Sequence, residues 1–182
     1  MLRNNLQHAI GMPILLAMKV RSGCPINLAT EVIGDAWSLV ILRDVMFGDL
    51  RTYRDLQTNS LEGIATNILA SRLKKLVADG LLTMASDPRH KQRSIYSLTE
   101  KAIALLPAMI ALGAWGRKFL PVEPEYAIRN LVLEDGGQEM QEAFMDELRV
   151  RHLGASISLP NPSVLEQLQA AFDHLHGKTE NE

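Results

Sequence analysis

The segment from residue 65 to residue 79 predicts a helix with two chemically different faces. Apolar residues recur at helical spacing along one side: Ile68, Leu69, Leu73, Leu76 and Val77. The other side carries groups that can hydrogen-bond to base edges or leave room for a thymine methyl group: Thr66, Asn67, Ala70, Ser71 and Lys74. An Asn can pair with adenine through two hydrogen bonds, and a helix fits the major groove of B-DNA. The spacing therefore predicts a helix that reads base pairs.

Two groups of cations lie close to this face in the sequence. Arg72 and Lys75 flank it on the same helix, and a polar turn carries three more: Arg89, Lys91 and Arg93. Contacts from Lys and Arg to phosphates supply much of the affinity of DNA-binding proteins. Either group alone is more typical of an ordinary solvent-exposed surface than of a DNA contact. Together, on one predicted motif, they favour contacts to a DNA backbone.

The order of predicted elements gives these side chains a scaffold. Pro25 is well placed to start a helix, and Thr99 is a good N-cap for a later one. The predicted elements are helices 26–33, 37–48, 52–57 and 65–79, strands 81–85 and 94–98 around a polar loop, and a long helix from Thr99 to Leu120. The fold class is therefore mainly α with a small β-hairpin. It is a winged helix-turn-helix with a long C-terminal dimerisation helix and an extra helical extension.

Charge divides the 182 residues into two unlike parts, although the net charge is only −2. Residues 1–121 hold 15 Lys and Arg against nine Asp and Glu, a net +6, and residues 122–182 hold four against twelve, a net −8. We therefore predict an N-terminal helical arm (1–23), a DNA-binding domain (24–121) and an acidic helical extension (122–182). Three helices are expected in the extension, packed on the dimerisation helix. Three roles stay open for these helices: they bind a ligand, they extend the dimer, or they keep acidic surface away from DNA.

Neither export nor membrane insertion is predicted. Residues 9–18 are mostly apolar, as in a short signal peptide, but Lys19 and Arg21 stand where small residues should precede a cleavage site. The uncharged stretch 102–116 is shorter than the roughly 20 residues of a membrane span and contains Pro107. The single cysteine excludes an intramolecular disulfide and a cysteine-based zinc site. A cytoplasmic protein without membrane partners is expected.

The stretch from Ala102 to Gly116 also predicts a homodimer. It is apolar almost all round, so it needs burial on most sides. A winged-helix unit of this size covers only one face, and a second subunit is the natural source of the rest. A two-fold dimer reads two half-sites about 34–36 Å apart, which predicts a pseudo-palindromic operator.

Cys24 and the terminal histidines have competing explanations. Cys24 is either a small hydrophobic residue buried at a helix start or a redox-sensing thiol whose pKa is lowered by the helix dipole. His174 and His176 lack further ligands at metal-binding spacing, so a solvated terminus is expected and no metal site is predicted. The sequence carries no phosphate-binding glycine loop and no catalytic-triad spacing. Neither an enzyme nor a cofactor is predicted.

The sequence resembles the HxlR-type family of bacterial winged-helix regulators, relatives of the MarR group, over about residues 24–118. The matching marks are Cys24-Pro25, Ile33-Gly34, Trp37, Ile41-Leu42-Arg43, Phe47-Gly48, Tyr53, Leu56, Gly63-Ile64, Leu69, Arg72-Leu73, Leu76, Asp79-Gly80-Leu81, residues 96–100, Leu105-Leu106-Pro107 and Trp115. The resemblance implies a dimeric cytoplasmic transcription factor whose terminal helices pair between subunits. Some relatives use a Cys at the position of Cys24 as an oxidant sensor.

The chain departs from the family pattern at three positions. Ala65 stands where the recognition helix usually has a Ser cap, which leaves Thr66 as an alternative N-cap. Ala36 replaces a common Lys, and Ala102 replaces a common Gly.

The sequence thus predicts a sequence-specific regulator of transcription that binds double-stranded DNA, with repression favoured over activation. An unknown small-molecule or redox effector stays open. The alternative is a helical protein–protein adaptor that keeps the winged-helix scaffold without binding DNA. The cations of the predicted loop discriminate, because only the DNA-binding protein needs them.

Overall fold

A computed structural model of the chain describes residues 21–179, with the backbone alone for Lys91, His176, Lys178 and Thr179. The helical arm predicted for residues 1–23 lies outside this range, apart from its last three residues. The elements, in chain order, are α1 (Pro25–Ile33), α2 (Ala36–Gly48), α3 (Tyr53–Asn59), α4 (Thr66–Ala78), β1 (Leu82–Asp87), β2 (His90–Leu98), α5 (Glu100–Ile103), α6 (Leu106–Phe119), α7 (Pro124–Asp135), α8 (Gly137–Leu153) and α9 (Val164–Thr179). This order confirms a mainly helical winged helix-turn-helix with one small hairpin.

Local sequence sets the ends of the first helices. Pro25 occupies the first turn of α1, where its missing N–H costs no helical hydrogen bond. Gly34 ends α1, and a Cβ at that position would lie only 2.3 Å from the carbonyl oxygen of Thr30. Asp35 then caps α2 by accepting hydrogen bonds from the backbone N–H (3.0 Å) and the hydroxyl (2.6 Å) of Ser38. The interruption predicted between the helices 26–33 and 37–48 is therefore confirmed, and it lies at Gly34-Asp35.

The tight turn of the helix-turn-helix lies between α3 and α4. Thr52 caps α3 by accepting from the N–H of Asp55 at 3.1 Å. The helix continues to Asn59, so the end predicted for it at residue 57 is two residues too early. Gly63 has φ of +63°, a conformation that a residue with a side chain adopts only under strain. Ile64 follows and is buried, which fixes the chain where it enters α4.

The hairpin is longer and its turn shorter than the sequence predicted. β1 and β2 pair antiparallel from Leu82↔Leu98 to Ser86↔Ser94, and after an irregularity Asp87 pairs with His90. Residues 90–93 therefore belong to β2, and the predicted long polar loop is wrong. The physical reason is local, because the Asp87 carboxylate accepts the backbone N–H of Arg89 at 2.8 Å and closes a tight turn.

The long helix predicted from Thr99 to Leu120 is interrupted. Thr99 does cap its start, accepting from the N–H of Ala102 at 3.3 Å. α5 ends at Ile103 and α6 begins at Leu106. Pro107 explains the break, because it has no N–H to donate to the Ile103 carbonyl and its ring collides with that group in a regular helix.

The three helices predicted after residue 122 are present as α7, α8 and α9. Ser163 and Glu166 form a reciprocal capping box at the start of α9, with contacts of 3.3 Å and 2.8 Å. Glu147, which is buried in α8, accepts the N–H of Leu165 at 3.1 Å. Asn130 of α7 donates to the carbonyl of Ile110 on α6 at 3.1 Å. The extension thus packs on α6, as expected.

One hydrophobic cluster runs through both the winged-helix part and the extension. It contains Leu42 of α2 and Leu73 of α4 together with Phe144 of α8 and Leu168 of α9. The rings of Phe47 and Phe144 lie 5.5 Å apart across the junction. The acidic extension therefore shares its core with the winged helix.

Candidate nucleic-acid interface

Helix α4 presents the predicted base-reading residues on one exposed face. Its inward side buries Leu69, Leu73 and Leu76, with Ile68 and Val77 partly covered. All five predicted contacts are exposed: Thr66, Asn67, Ala70, Ser71 and Lys74. This face carries hydrogen-bonding groups and one cation, with no carboxylate among the five, and can face the edges of base pairs.

The N-terminus of α4 lacks a capping side chain. Ala65 is the N-cap residue and makes no side-chain hydrogen bond, while Thr66 is the first helical residue. The alternative in which Thr66 caps the helix is therefore wrong. The hydroxyl of Tyr53 donates to the carbonyl of Thr66 at 2.9 Å and fixes this end of the helix against α3. Amides without a capping side chain at a helix N-terminus favour an anion such as a phosphate.

Arg72 and Lys75 hold α4 in place within the chain. Arg72 Nε lies 2.7 Å from Oδ1 of Asp35, the N-cap of α2. Burial alone would raise the pKa of Asp35, but hydrogen bonds from Ser38 and Arg72 outweigh it and keep that pKa below its usual value. Lys75 Nζ donates to the carbonyl of Val32 at 2.5 Å and to Asp79 at 2.7 Å. A phosphate would have to share both cations with these partners.

A charged cluster that the sequence patterns did not indicate fixes the turn before α4. Arg43 of α2 contacts both oxygens of Glu62, at 2.5 Å and 2.7 Å, and also Oδ1 of Asp44 at 2.6 Å. The hydrogen bond from Arg43 lowers the pKa of Glu62 despite partial burial. No local pattern pairs Arg43 with Glu62, since 19 positions separate them.

The hairpin formed by β1 and β2 is the wing of this fold, and the surroundings of Arg89 and Arg93 at its tip differ. Arg89 lies exposed in the turn, and within the described residues its guanidinium makes no hydrogen bond or ion pair. Arg93 is 52% exposed, and its Nε lies 3.1 Å from Oδ2 of the buried Asp87. The backbone N–H of Arg89, and then the nearby cations, lower the pKa of Asp87. The structure places Lys91 on β2 and does not describe its side chain. Of the two arginines at the tip, Arg89 is thus the one more available to a phosphate.

The base of the wing contacts the extension through two residues that sequence patterns also missed. Arg51, before α3, and His152, in the last turn of α8, both hydrogen-bond to β2. Burial, and then the nearby Arg51 and Arg151, lower the pKa of His152 to about 4. The ring is therefore neutral at neutral pH. No sequence signal could have found this contact, because it joins residues 54 positions apart.

Helix α6 is buried on its inner side alone, so the all-round burial expected of it is not met within one chain. Its outer side, the following linker and α7 leave seven large apolar residues exposed, a set called here the apolar face: Leu112, Trp115, Phe119, Leu120, Val122, Tyr126 and Leu131. By length and apolarity alone, Glu100–Phe119 could cross a membrane. Its inner residues Ala102, Ile103, Leu106 and Ile110 are instead buried in the shared core.

Cys24 is exposed at the N-cap of α1, so the explanation that it is a buried hydrophobic residue is wrong. The backbone amides of Asn27 and Ile26 face the sulfur and lower the pKa of its thiol, although no capping hydrogen bond forms. Its role as a redox sensor stays a prediction. His174 is exposed. Among the residues whose side chains are described, no group of three or more His, Cys, Asp or Glu is placed to hold a metal ion.

The sequence is similar to that of known helix-turn-helix regulators. The sequence model of the HxlR-like helix-turn-helix family matches residues 32–124. An uncharacterised HTH-type transcriptional regulator of Mycobacterium tuberculosis is 36% identical over 99 residues, which are 54% of this chain and 61% of that protein. The matched segment thus spans about three fifths of the length of that relative.

A second relative and a solved structure are also similar to this chain. An HTH-type regulator of Synechocystis is 31% identical over 100 residues, covering 55% of this chain and 73% of its own. The solved structure of PA1607, a candidate transcription factor, is similar with a TM-score of 0.51 and 36% identity, covering 57% of this chain and 70% of its own. The family match includes α4 and the wing.

Proposed function

This chain belongs to the HxlR-like helix-turn-helix family, and from that premise we propose that it is a sequence-specific regulator that binds an operator in double-stranded DNA as a homodimer. The observation that carries the proposal is the exposed polar face of α4, set opposite three buried leucines. The named relatives are transcriptional regulators, a class that is not enzymatic. A cytoplasmic location is part of this proposal, because a regulator has to reach the DNA that it binds.

We propose that α4 enters the major groove and divides the work between bases and phosphates. Asn67 and Ser71 lie one helical turn apart on the exposed face, where they read base edges, and Ala70 between them leaves room for a thymine methyl group. Lys74 lies one turn further along and contacts a guanine or the groove wall. A phosphate accepts hydrogen bonds from the backbone amides at the start of α4, which have no capping side chain.

The wing supplies contacts that do not depend on sequence. Arg89 reaches a backbone phosphate first, because its guanidinium has no ion pair to give up within the described residues. Arg93 has to exchange its contact with Asp87 for a phosphate. Arg72 and Lys75 serve mainly to orient α4 and contribute charge at its edge. Such contacts raise affinity for all sequences and make it dependent on salt.

The apolar face supports dimerisation. Seven large apolar side chains are exposed on neighbouring elements, and the rings of Trp115 and Phe119 lie 5.5 Å apart. Apolar surface that is concentrated in this way marks interaction sites. The second copy of the chain is the proposed occupant, in agreement with the expectation for Ala102–Gly116. Two copies related by a two-fold axis would read a pseudo-palindromic operator. Repression is the proposed mode, because a dimer bound over a promoter blocks access to it.

Oxidant sensing through Cys24 would modulate this activity. The thiol is exposed and its lowered pKa favours the reactive thiolate. With one cysteine per chain, an intersubunit bridge or a mixed disulfide is the available product. Oxidant treatment should weaken DNA binding by the native chain and leave Cys24→Ser unaffected. Equal losses of DNA binding in both proteins would contradict a sensing role for Cys24.

Selection from a random duplex library tests the proposed function. The purified full chain is incubated with the library at a stated salt concentration, retained duplexes are sequenced, and the selection is repeated. The expected result is one enriched motif with two inverted half-sites about one helical turn apart. Failure to enrich any motif, with no measurable affinity for duplex DNA, would contradict the proposal and favour the protein–protein adaptor.

A further inference from the structure

The outer edge of strand β2, at the base of the wing, is covered by groups from outside the hairpin. The N–H of Tyr96 donates to the carbonyl of Arg51 at 2.7 Å. The N–H of Leu98 donates to Nδ1 of His152 at 3.3 Å. These two residues lie on alternate positions of β2, so their N–H groups face the same side, away from β1. An edge strand otherwise leaves such groups without a protein partner.

Arg51 ties this edge to the end of α8. Its guanidinium donates to the carbonyl of Tyr96 at 3.3 Å and to the hydroxyl of Ser97 at 2.5 Å. It also donates to the carbonyl of Arg151 at 3.4 Å. That carbonyl belongs to the last turn of α8, where backbone oxygens have no helical partner. One side chain thus joins the wing to the extension.

A second set of contacts holds the same end of α8. The Arg149 guanidinium binds both carboxylate oxygens of Glu100, with its closest contact at 2.6 Å. Arg151 lies 3.8 Å from Asp49 in the segment that leads into α3. The last turn of α8 is therefore fixed to the element after the wing and to the segment before the helix-turn-helix.

We propose that residues 149–153 of α8 form a brace that sets the orientation of the wing, and that His152 and Arg51 are positioning residues for DNA binding by Arg89. The effect that we infer on DNA affinity rests on the proposed function. It assigns a role to the extension, which lies mostly beyond the segment that matches the family.

A two-stranded hairpin is only marginally ordered by itself, so the wing depends on what it packs against. Roughly 20 Å of strand separates Leu98 from the turn at about 3.3 Å per residue, allowing for the irregularity in β2. A tilt of about 10° at the base would then move Arg89 by about 3–4 Å, more than a hydrogen bond to a phosphate tolerates. Small changes in the brace therefore become large changes at the tip.

The bond from Leu98 requires a neutral His152 ring, because Nδ1 must accept. The groups around that ring are the cations Arg51 and Arg151. Asp49 lies 3.9 Å from Arg51 and 3.8 Å from Arg151, and the buried Glu147 pairs with Arg151 at 3.0 Å. Both cations disfavour protonation, which agrees with the lowered pKa of His152. Its Nε2 is buried without a hydrogen-bond partner in the part of the chain that the structure describes. An apolar residue of similar size should therefore remove the acceptor without unfolding the protein.

The experiment compares His152→Leu with His174→Leu, the same change at an exposed position of α9. Hydrogen exchange of the full chain without DNA reports on the wing, and fluorescence anisotropy with a selected duplex reports on affinity. His152→Leu should speed exchange in residues 82–98 while α4 stays protected, and should weaken DNA binding about 3–10-fold. His174→Leu should change neither. His152→Asn, whose Oδ1 is attached to Cγ as Nδ1 is and can accept the same bond, should recover most of the affinity.

A double variant shows whether the effect passes through the wing. In an Arg89→Ala background, His152→Leu should cause little further loss of affinity, because the phosphate contact that it positions is already absent. Full additivity would overturn the proposal. So would unchanged exchange in the wing of His152→Leu, whether or not the chain binds DNA. Absence of DNA binding by the native chain would instead refute the proposed function, and the exchange data separate these two failures.

Discussion

Protonation of His152 should make the protein less stable in mild acid. In the unfolded chain the ring takes up a proton near its ordinary pKa of 6.5, and in the folded chain only near pH 4. The unfolded state therefore binds more protons between these values, and the free energy of unfolding falls as pH falls through this window. The stabilisation is fully present above pH 6.5 and is lost by about pH 4.

The size of the effect follows from the difference in pKa. Each pKa unit corresponds to about 1.4 kcal/mol, so the full shift would give about 3 kcal/mol. The ring is only partly buried, and solvent screening reduces this figure. We expect a loss of about 2 kcal/mol between pH 7 and pH 4.5 that is specific to His152.

Urea unfolding followed by circular dichroism measures this loss at several pH values, for the native chain and for His152→Leu. Other groups titrate too, since Asp35 and Glu62 have lowered pKa values and lose their contributions as pH falls through those values. Both proteins retain these carboxylates, so the difference between the two curves isolates the histidine. His174→Leu should follow the native curve. Parallel curves for the native chain and His152→Leu would refute the idea that His152 is held neutral by its surroundings.

Three further changes test the interface, the anchoring of α4 and the dimer. Arg89→Ala should weaken binding to all duplexes alike. It should also lower the slope of log affinity against log salt by about 0.9 for each phosphate that the variant no longer binds. Lys101→Ala, which removes an exposed cation outside α4 and the wing, should leave this slope unchanged. Arg72→Ala should cost about 1 kcal/mol of unfolding free energy in urea titrations, because it breaks the ion pair with Asp35, and an unchanged midpoint would contradict that role. Trp115→Glu should convert a dimer into a monomer in equilibrium sedimentation at micromolar concentration, and a native chain that is already a stable monomer would exclude the proposed dimer.

Periodicity made much of the fold predictable. The leucines of α4 recur at helical spacing and are buried, and the same spacing correctly predicts that Asn67 and Ser71 lie on the exposed side. The break at Gly34-Asp35 and the cap at Thr99 were also correct, because they depend on side chains next to the backbone they bind. Local sequence carries this information.

Other features depend on residues far apart in the chain or on one local irregularity. Arg72 has the pattern of a solvent-exposed cation until folding brings Asp35 beside it. His152 shows no pattern that would pair it with Leu98. The predicted length of the wing was wrong because the carboxylate of Asp87 closes the turn early, and spacing alone does not show which acceptor a backbone N–H will find.

The ratio of affinities for the selected duplex and a scrambled duplex, compared between the native chain and Asn67→Ala, tests most directly whether α4 reads sequence. Anisotropy titrations at one salt concentration supply all four affinities. A hydrogen-bonded pair between Asn and adenine contributes about 1–3 kcal/mol of discrimination, so the ratio should fall about 5-fold to 150-fold while affinity for the scrambled duplex stays the same. An unchanged ratio, or equal losses on both duplexes, would contradict base reading by this face of α4.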